Sequence, residues 1–274
     1  MIPAYNEEDG IAAVVRGVLA RAGWREVLVV DDGSVDRTAE RAQEAGARVV
    51  RHPYNKGNGA AVKTGVRAAG GAVVLLMDAD GQHDPEDMER LIAPIGDHDM
   101  VIGVRAARDQ PWARAVGNGV FRALASWLTG RPIPDLTCGF RAARRDLLLE
   151  VLHLLPNGFS YTTTSCLAFL KAGHNVAFEP VRAHRRVGTS KIRPVRDGVK
   201  FLLIILKIVT LYSPLKVFFP VSALAFLLGA AYGIANVWVR GKIPMGSALL
   251  IQLAVVVFLF GLISEQIASG QDRK

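Results

Sequence analysis

The sequence predicts an α/β domain with a mostly parallel sheet, followed by an interfacial amphipathic helix and a two-helix transmembrane hairpin. Short apolar runs alternate with helical patterns over the first two thirds of the chain, the pattern of repeated strand-helix-strand units. Val217–Val239 and Ile243–Ser264, of 23 and 22 residues, contain no Asp, Glu, Lys or Arg, and each can cross a bilayer as a helix. Between these regions lies an apolar stretch interrupted by cations. The expected organisation is therefore a catalytic-sized domain over 1–193, the interfacial helix over 194–213, and the hairpin with a short tail over 214–274.

Only Met1 and Ile2 precede Pro3, whereas a strand in such a sheet runs about five residues, which predicts a reading frame beginning further upstream. Ile11, Val14, Val15, Val18 and Leu19 recur at helical spacing before Gly23. Glu26–Val30, Ala47–Arg51, Ala72–Met77 and Met100–Gly103 read as buried strands, with helices in the gaps. Asp84-Pro85 supplies an N-cap and a Pro at the first position of a helix expected to reach about His98. Beyond Gly103 come helices near Trp112–Leu128, Arg145–Leu154 and Thr162–Ala172, with a turn around Asp135–Phe140. From Pro194 to Tyr212, Arg196, Lys200 and Lys207 fall on one narrow helical face. A cation in the middle of that run favours a helix lying in the interface over a first transmembrane helix.

Composition then limits the function. Outside the two charge-free stretches, 229 residues carry all 58 charges, about one in four, as in a soluble domain. The net charge of +8 resides in Arg182–Lys216, which has nine Lys or Arg and one acid, Asp197. That belt suits anionic lipid and excludes a nucleic-acid footprint. By the positive-inside tendency it places the domain in the cytoplasm, although Arg240 and Lys242 weaken the asymmetry. Cys138 and Cys166 lack CxxC or metal-ligand spacing, so buried thiols in a reducing compartment are expected. No signal-peptide pattern opens the chain. Gly57-Asn58-Gly59 lacks the third glycine of a dinucleotide turn, and the six histidines form no HExxH pair.

In doubly wound sheets ligands bind at the carboxyl ends of strands. Three polar clusters fall there: Ile2-Pro3-Ala4-Tyr5-Asn6-Glu7-Glu8, Asp31-Asp32-Gly33-Ser34-Val35-Asp36, and Asp78-Ala79-Asp80-Gly81-Gln82. Grouped carboxylates repel unless a cation or hydroxyls intervene, and oxygen donors beside phosphate suit Mg²⁺ or Mn²⁺. Helix capping is the competing explanation for Asp36 and Asp84.

IPAYNEE, DDGSVDRT, DADGQH and the later GTSK, in that order, resemble the inverting GT-A type family 2 glycosyltransferases of the polyprenyl-phosphate (dolichyl-phosphate) sugar synthase group. The resemblance implies a GT-A fold, with Rossmann-like topology, and transfer of a hexose from a nucleotide sugar to a polyprenyl phosphate at the cytoplasmic face of the cell membrane. It implies that Pro3, Tyr5, Glu7, Asp32 and Ser34 line the base and ribose pocket, that Asp78 approaches both ribose and metal, and that Asp80 and Gln82 hold the metal. Arg105, Arg114, Arg185 and Lys191 would clamp phosphates; Arg186 receives no role. Some relatives have an acid near the match to Thr137-Cys138-Gly139-Phe140-Arg141, where this chain has Cys and Gly. No base is required, because a phosphomonoester is already anionic near neutral pH. Arg141 and Arg144 either hold phosphate or pair with acids, and Phe159, Tyr161 and Thr162–Thr164 either border the acceptor or belong to the core.

GDP-mannose and UDP-glucose are the leading donors, lipid is the partner surface, and a homo-oligomer is compatible with the sequence. A processive polysaccharide synthase would require a QxxRW string and a larger membrane domain, both missing. A catalytically silent nucleotide-sugar-binding subunit is opposed by the intact Asp78, Asp80 and Lys191.

Overall fold

Residues 1–21, 23–105, 112–158, 160–184 and 213–270 are described by a computed structural model, with backbone alone at 112–118, 120, 121 and 270. The chain divides into two compact units, Met1–Arg193 and Pro194–Lys274.

In the first unit, β1 (Ile2–Ala4), β2 (Leu28–Asp31) and β3 (Arg48–Arg51) form a parallel sheet in that order. A second sheet has the order β4 (Val73–Leu76), β6 (Arg141–Arg144), β5 (Met100–Arg105), β7 (Val176–Val181). Two hydrogen bonds, Met1 N to Leu75 O at 2.7 Å and Met77 N to Met1 O at 3.1 Å, join β1 to β4 in the manner of a parallel ladder. The four anticipated strands are present, shifted by one or two residues at their ends, but β3, read as buried, has exposed Arg48 and Arg51 and half-buried Val49 and Val50. β6 and β7 were not anticipated. Arg-Ala-Ala-Arg has little strand preference of its own; it becomes β6 because its backbone fills the gap between β4 and β5, antiparallel to both. β7 contains Pro180 and, among the described residues, pairs on one side only, with β5, as proline in a sheet requires.

Helix α1 (Ile11–Leu19) buries Ile11, Val14, Val15 and Val18, worth roughly 6 to 12 kcal/mol as an upper bound. Leu19, expected on the same face, is 44% exposed. α2 (Thr38–Glu44) and α3 (Asn58–Ala68) fill the next two gaps. The expected helix from Asp84 to His98 is shorter. Asp84 Oδ1 caps it by accepting from Glu86 N at 2.9 Å, a 3₁₀ turn covers Pro85–Asp87, and α4 covers Met88–Ile92. Ala93 keeps helical dihedrals as the C-cap, but Pro94 has no N–H to continue the ladder, and Gly96 with φ 129° turns the chain away. α5 (Trp112–Thr129), α6 (Arg145–Val151, prolonged by a 3₁₀ turn to Leu154) and α7 (Tyr161–Lys171) complete the unit.

The second unit is a helical hairpin of α8 (Pro214–Arg240) and α9 (Met245–Gly270). Both helices are long and apolar enough to cross a bilayer, with mean hydropathy 2.0 and 2.5 in their most apolar stretches. Small residues let the helices approach: a Cβ at Gly229 would meet Leu250 and Ile251, one at Gly233 would meet Ser247, and one at Gly261 would meet Phe218. Ser247 Oγ donates to Gly229 O at 2.7 Å. Glu265 accepts from Leu215 N at 2.9 Å, capping the first turn of α8 from the far end of α9. Arg196, Lys200 and Lys207, and with them the interfacial helix, lie outside the described residues.

Candidate active site

The loops after β1 and β2 are stitched to each other before any ligand is considered. Asn6 N donates to Ser34 Oγ at 2.9 Å, Val35 N to Asn6 Oδ1 at 3.0 Å, and Glu7 N to Thr38 Oγ1 at 2.9 Å. Asp36 accepts from Glu8 N at 3.3 Å and from Thr38 N at 3.0 Å. Asn6 adopts φ 52°, a conformation Asn tolerates better than most residues. Asn6 in one loop and Ser34, Asp36 and Thr38 in the other thus supply side chains that satisfy each other's backbone groups.

Asp32 is 2% exposed and its carboxylate is occupied within the protein. Oδ1 lies 2.7 Å from His52 Nδ1 and accepts from Lys56 N at 2.9 Å, while Oδ2 accepts from Gly57 N at 2.8 Å. His52 Nε2 is 2.9 Å from Thr64 Oγ1 on α3. Asp32 therefore brackets the His52–Gly57 loop between the end of β2 and α3. Two glycines at the end of that loop serve close packing, since a Cβ at Gly57 or Gly59 would collide with the backbone at Asn157 and Pro156. Ala60 N and Gly59 N donate to Asn157 O and Gly158 O, at 2.9 and 3.1 Å, closing the α3 N-terminus.

The loop after β4 is built differently. Asp78 is half-buried and its Oδ2 stands 3.5 Å from His83 Nε2, whose ring stacks on Phe140 at 4.9 Å. Burial raises the Asp78 carboxyl, but His83, Arg105 and Arg141 outweigh it and hold the group below the usual carboxylate range. Asp80 Oδ1 accepts from Gln82 N at 3.2 Å, with Gly81 at φ 70° turning the chain between them. Among the described residues no three His, Cys, Asp or Glu side chains converge into a complete metal cage. An ionised Asp78 beside Asp80 fits a hard ion whose remaining ligands are phosphate and water oxygens, which is how Mg²⁺ is usually held.

The same loop anchors the segment that leaves β7. Gln82 O accepts from His184 N at 2.8 Å, and Arg182 N donates to Asp87 Oδ2 at 2.7 Å. The Arg182 side chain reaches Glu86 at 3.0 Å. Arg185 comes directly after His184 in the chain.

Opposite Asp78 runs Asp135–Arg141. Arg105 grips Asp135 with two nitrogens, at 3.0 and 3.2 Å, and Thr137 Oγ1 at 2.6 Å. Its fork is therefore filled by protein, where the resemblance implied a phosphate. Burial raises the Asp135 carboxyl, but Arg105 and Thr137 hold it below its ordinary value. Neither alternative for Arg141 holds: the side chain is 0% exposed, closed to phosphate, and forms no ion pair with an acid among the described residues. It donates to Cys138 O, Thr162 O and Ser165 Oγ. Arg144 pairs with Asp146 at 2.9 Å and Asp99 at 3.7 Å.

Of the expected site residues, Pro3 is buried in β1, Tyr5, Glu7 and Gln82 are half-buried at strand ends, and Ser34 is buried in the stitching. Tyr161, Thr163 and Thr164 belong to the core. Arg114 lies on the α5 backbone with its side chain outside the description; Phe159, Arg185, Arg186 and Lys191 lie outside the described residues. Sequence reasoning missed His52 and His83, for which no ligand-type spacing offered a signal, and the packing role of Gly57 and Gly59.

Residues 213–269 match the GtrB C-terminal hairpin. The chain is 31% identical to Glycosyltransferase AglJ of Haloferax volcanii over 98% of its own length and 93% of that protein. It is 34% identical to the dolichyl-phosphate hexose transferase of the same organism, over 71% of this chain and 86% of that one. Glucosyl-3-phosphoglycerate synthase from Mycobacterium tuberculosis, solved with Mn²⁺, UDP-glucose and phosphoglyceric acid, superposes with a TM-score of 0.61 at 26% identity, covering 76% of this chain and 77% of that one. With residues 1–152 matching Glycosyl transferase family 2 on a sheet that presents Asp78 and Asp80 at a strand end, the chain belongs to that family.

Proposed function

We propose that this glycosyltransferase moves a hexose from a nucleotide sugar to a polyprenyl phosphate at the membrane, with inversion, giving a polyprenyl-phosphate sugar. The observation that carries the reading is the pairing of an ionised, half-buried Asp78 with Asp80 in a chain that also has two bilayer-length helices. The relative named as a dolichyl-phosphate hexose transferase supports the acceptor class, and GDP-mannose and UDP-glucose are the donors proposed. The basic belt supports the cytoplasmic face.

Asp78, Asp80 and Gln82 would hold Mg²⁺ or Mn²⁺ against the donor diphosphate; such an ion neutralises the charge that the departing nucleoside diphosphate acquires. An acceptor phosphate oxygen attacks the anomeric carbon as the bond from that carbon to the diphosphate breaks. No proton has to leave the acceptor, so no general base is assigned. Pro3, Tyr5 and Glu7 are proposed at the base and ribose; Asp32 and Ser34 are proposed to support that pocket, since Ser34 Oγ already ties the two turns and Asp32 already holds the His52–Gly57 loop. Arg114, Arg185 and Lys191 are proposed as phosphate clamps. Arg105 is proposed to shape the wall that faces Asp78.

Membranes containing the chain, incubated with a panel of labelled nucleotide sugars, should transfer label to the lipid extract from one donor. Label in no lipid extract, with nucleotide-sugar binding retained, would instead support a silent binding subunit.

A further inference from the structure

Gly139 has no backbone reason to be glycine. It is not among the residues with positive φ, so an alanine is conformationally admissible there. What excludes a side chain is Asp78. The three atoms nearest to a Cβ built at Gly139 are Oδ2, Cγ and Oδ1 of Asp78, the latter two at 2.7 Å. These belong to the movable end of a short side chain, so the fold can accommodate a methyl group by swinging the carboxylate aside. Its present position cannot survive that.

The wall behind Gly139 is made rigid from both sides. Arg105 holds Asp135 and Thr137 on one side of the turn. On the other, Arg141 sends Nε to Cys138 O at 3.2 Å and Nη2 to the same oxygen, and ties Nη1 to Thr162 O at 2.6 Å and Ser165 Oγ at 2.8 Å on α7. A fully buried guanidinium without a carboxylate is costly unless its donors are satisfied. Here those donors fix the carbonyl next to Gly139.

We infer that Gly139 is a positioning residue for Asp78: the missing side chain, on a turn locked by Arg105 and Arg141, sets where the donor-site carboxylate stands. The inference rests on the proposed role of Asp78 in holding the divalent ion and donor. It also gives a physical reason for the glycine in this chain, since any side chain at 139 and the present Asp78 conformer exclude each other.

The test uses the purified full chain in detergent, with free Mn²⁺ followed by electron paramagnetic resonance in the presence of UDP or GDP. Gly139→Ala should stay folded and bind Mn²⁺ at least about tenfold more weakly than the unsubstituted protein, the scale seen when a metal ligand loses its support. Binding equal to that of the unsubstituted protein would overturn the inference. Mn²⁺ binding that is absent from the unsubstituted protein, or unchanged in Asp80→Asn, refutes the proposed metal role instead. The contact itself is then read from a thermal cycle. If Gly139→Ala lowers the melting midpoint, Asp78→Ala/Gly139→Ala should melt within about 2 °C of Asp78→Ala, because the displaced group is gone. A further drop in the double variant shows that Gly139 serves the backbone, and overturns the inference.

Discussion

Two aspartate pairs stand at strand ends of the same unit, and opposite work is proposed for them. Asp31 and Asp32, at the end of β2, are buried and committed: Asp31 holds Ser34 N and Arg51, and Asp32 holds His52, Lys56 N and Gly57 N. Asp78, past the end of β4, is half-buried, and among the described residues it pairs with His83 at 3.5 Å. The first pair braces the loops around it; the second, in which Asp80 is 9% exposed and accepts from Gln82 N, is the pair proposed as poised for a metal. A carboxylate whose lone pairs are filled by backbone N–H groups cannot also take a metal, so exposure and partners separate Asp32 from Asp78, which look equivalent in sequence.

The largest effect should come from the poised pair. Asp80→Asn keeps the shape and loses the charge, and should lower transfer by roughly 10²- to 10⁴-fold, several kcal/mol of charge stabilisation, with an unchanged melting midpoint. Near-full activity of that variant in chelator would sink the distinction. The committed pair should show the reverse. Asp32→Asn leaves buried donors mispaired and should cost about 2 to 4 kcal/mol of stability, read as a lower denaturant midpoint. An Asp32→Asn protein as stable as the parent but unable to bind nucleotide would make Asp32 a ligand contact.

A smaller effect tests the cations proposed for the acceptor. Arg185→Ala and Lys191→Ala should each reduce transfer about ten- to hundredfold, chiefly through acceptor dependence, the scale of one charge-assisted hydrogen bond. Lys200→Ala is the comparison, since one surface cation contributes about 1 kcal/mol to lipid attachment. Equal losses in all three, without change in acceptor dependence, would reduce the basic belt to a general lipid contact.

Asp135 extends the comparison to pH. Its carboxyl is held below the ordinary range in the folded chain, so its stabilising share is complete above about pH 4, the unfolded value, and is lost as pH falls through the lower folded value. Asp135→Asn should therefore lower the melting midpoint at pH 5 to 7 by a constant few degrees, and the gap should narrow in more acidic buffer. A gap that widens on acidification would reverse the assignment. The smallest expected signal is an absence of reaction: burial pushes the Cys138 and Cys166 thiols up to about 12, so neither should be alkylated at pH 8 unless denaturant is added.

Sequence by itself determined the features that depend on composition and local period. The hairpin was visible because a bilayer demands apolar length, and β2 to β5 because each is a short run with apolar residues at its centre. Asp78 and Asp80 were visible because acids do not cluster at a strand end without a reason. The tertiary structure alone decided matters of partnership. β6 is a strand because two other strands leave it a place, and Arg141 is a buried cation because Cys138, Thr162 and Ser165, drawn from two segments, converge on it. Whether an aspartate is committed or poised, or a glycine is needed by its own backbone or by a carboxylate 61 positions away, is a property of neighbours in space. Local sequence carries the charge and the period of each residue, but the groups that desolvate and satisfy it arrive from far along the chain.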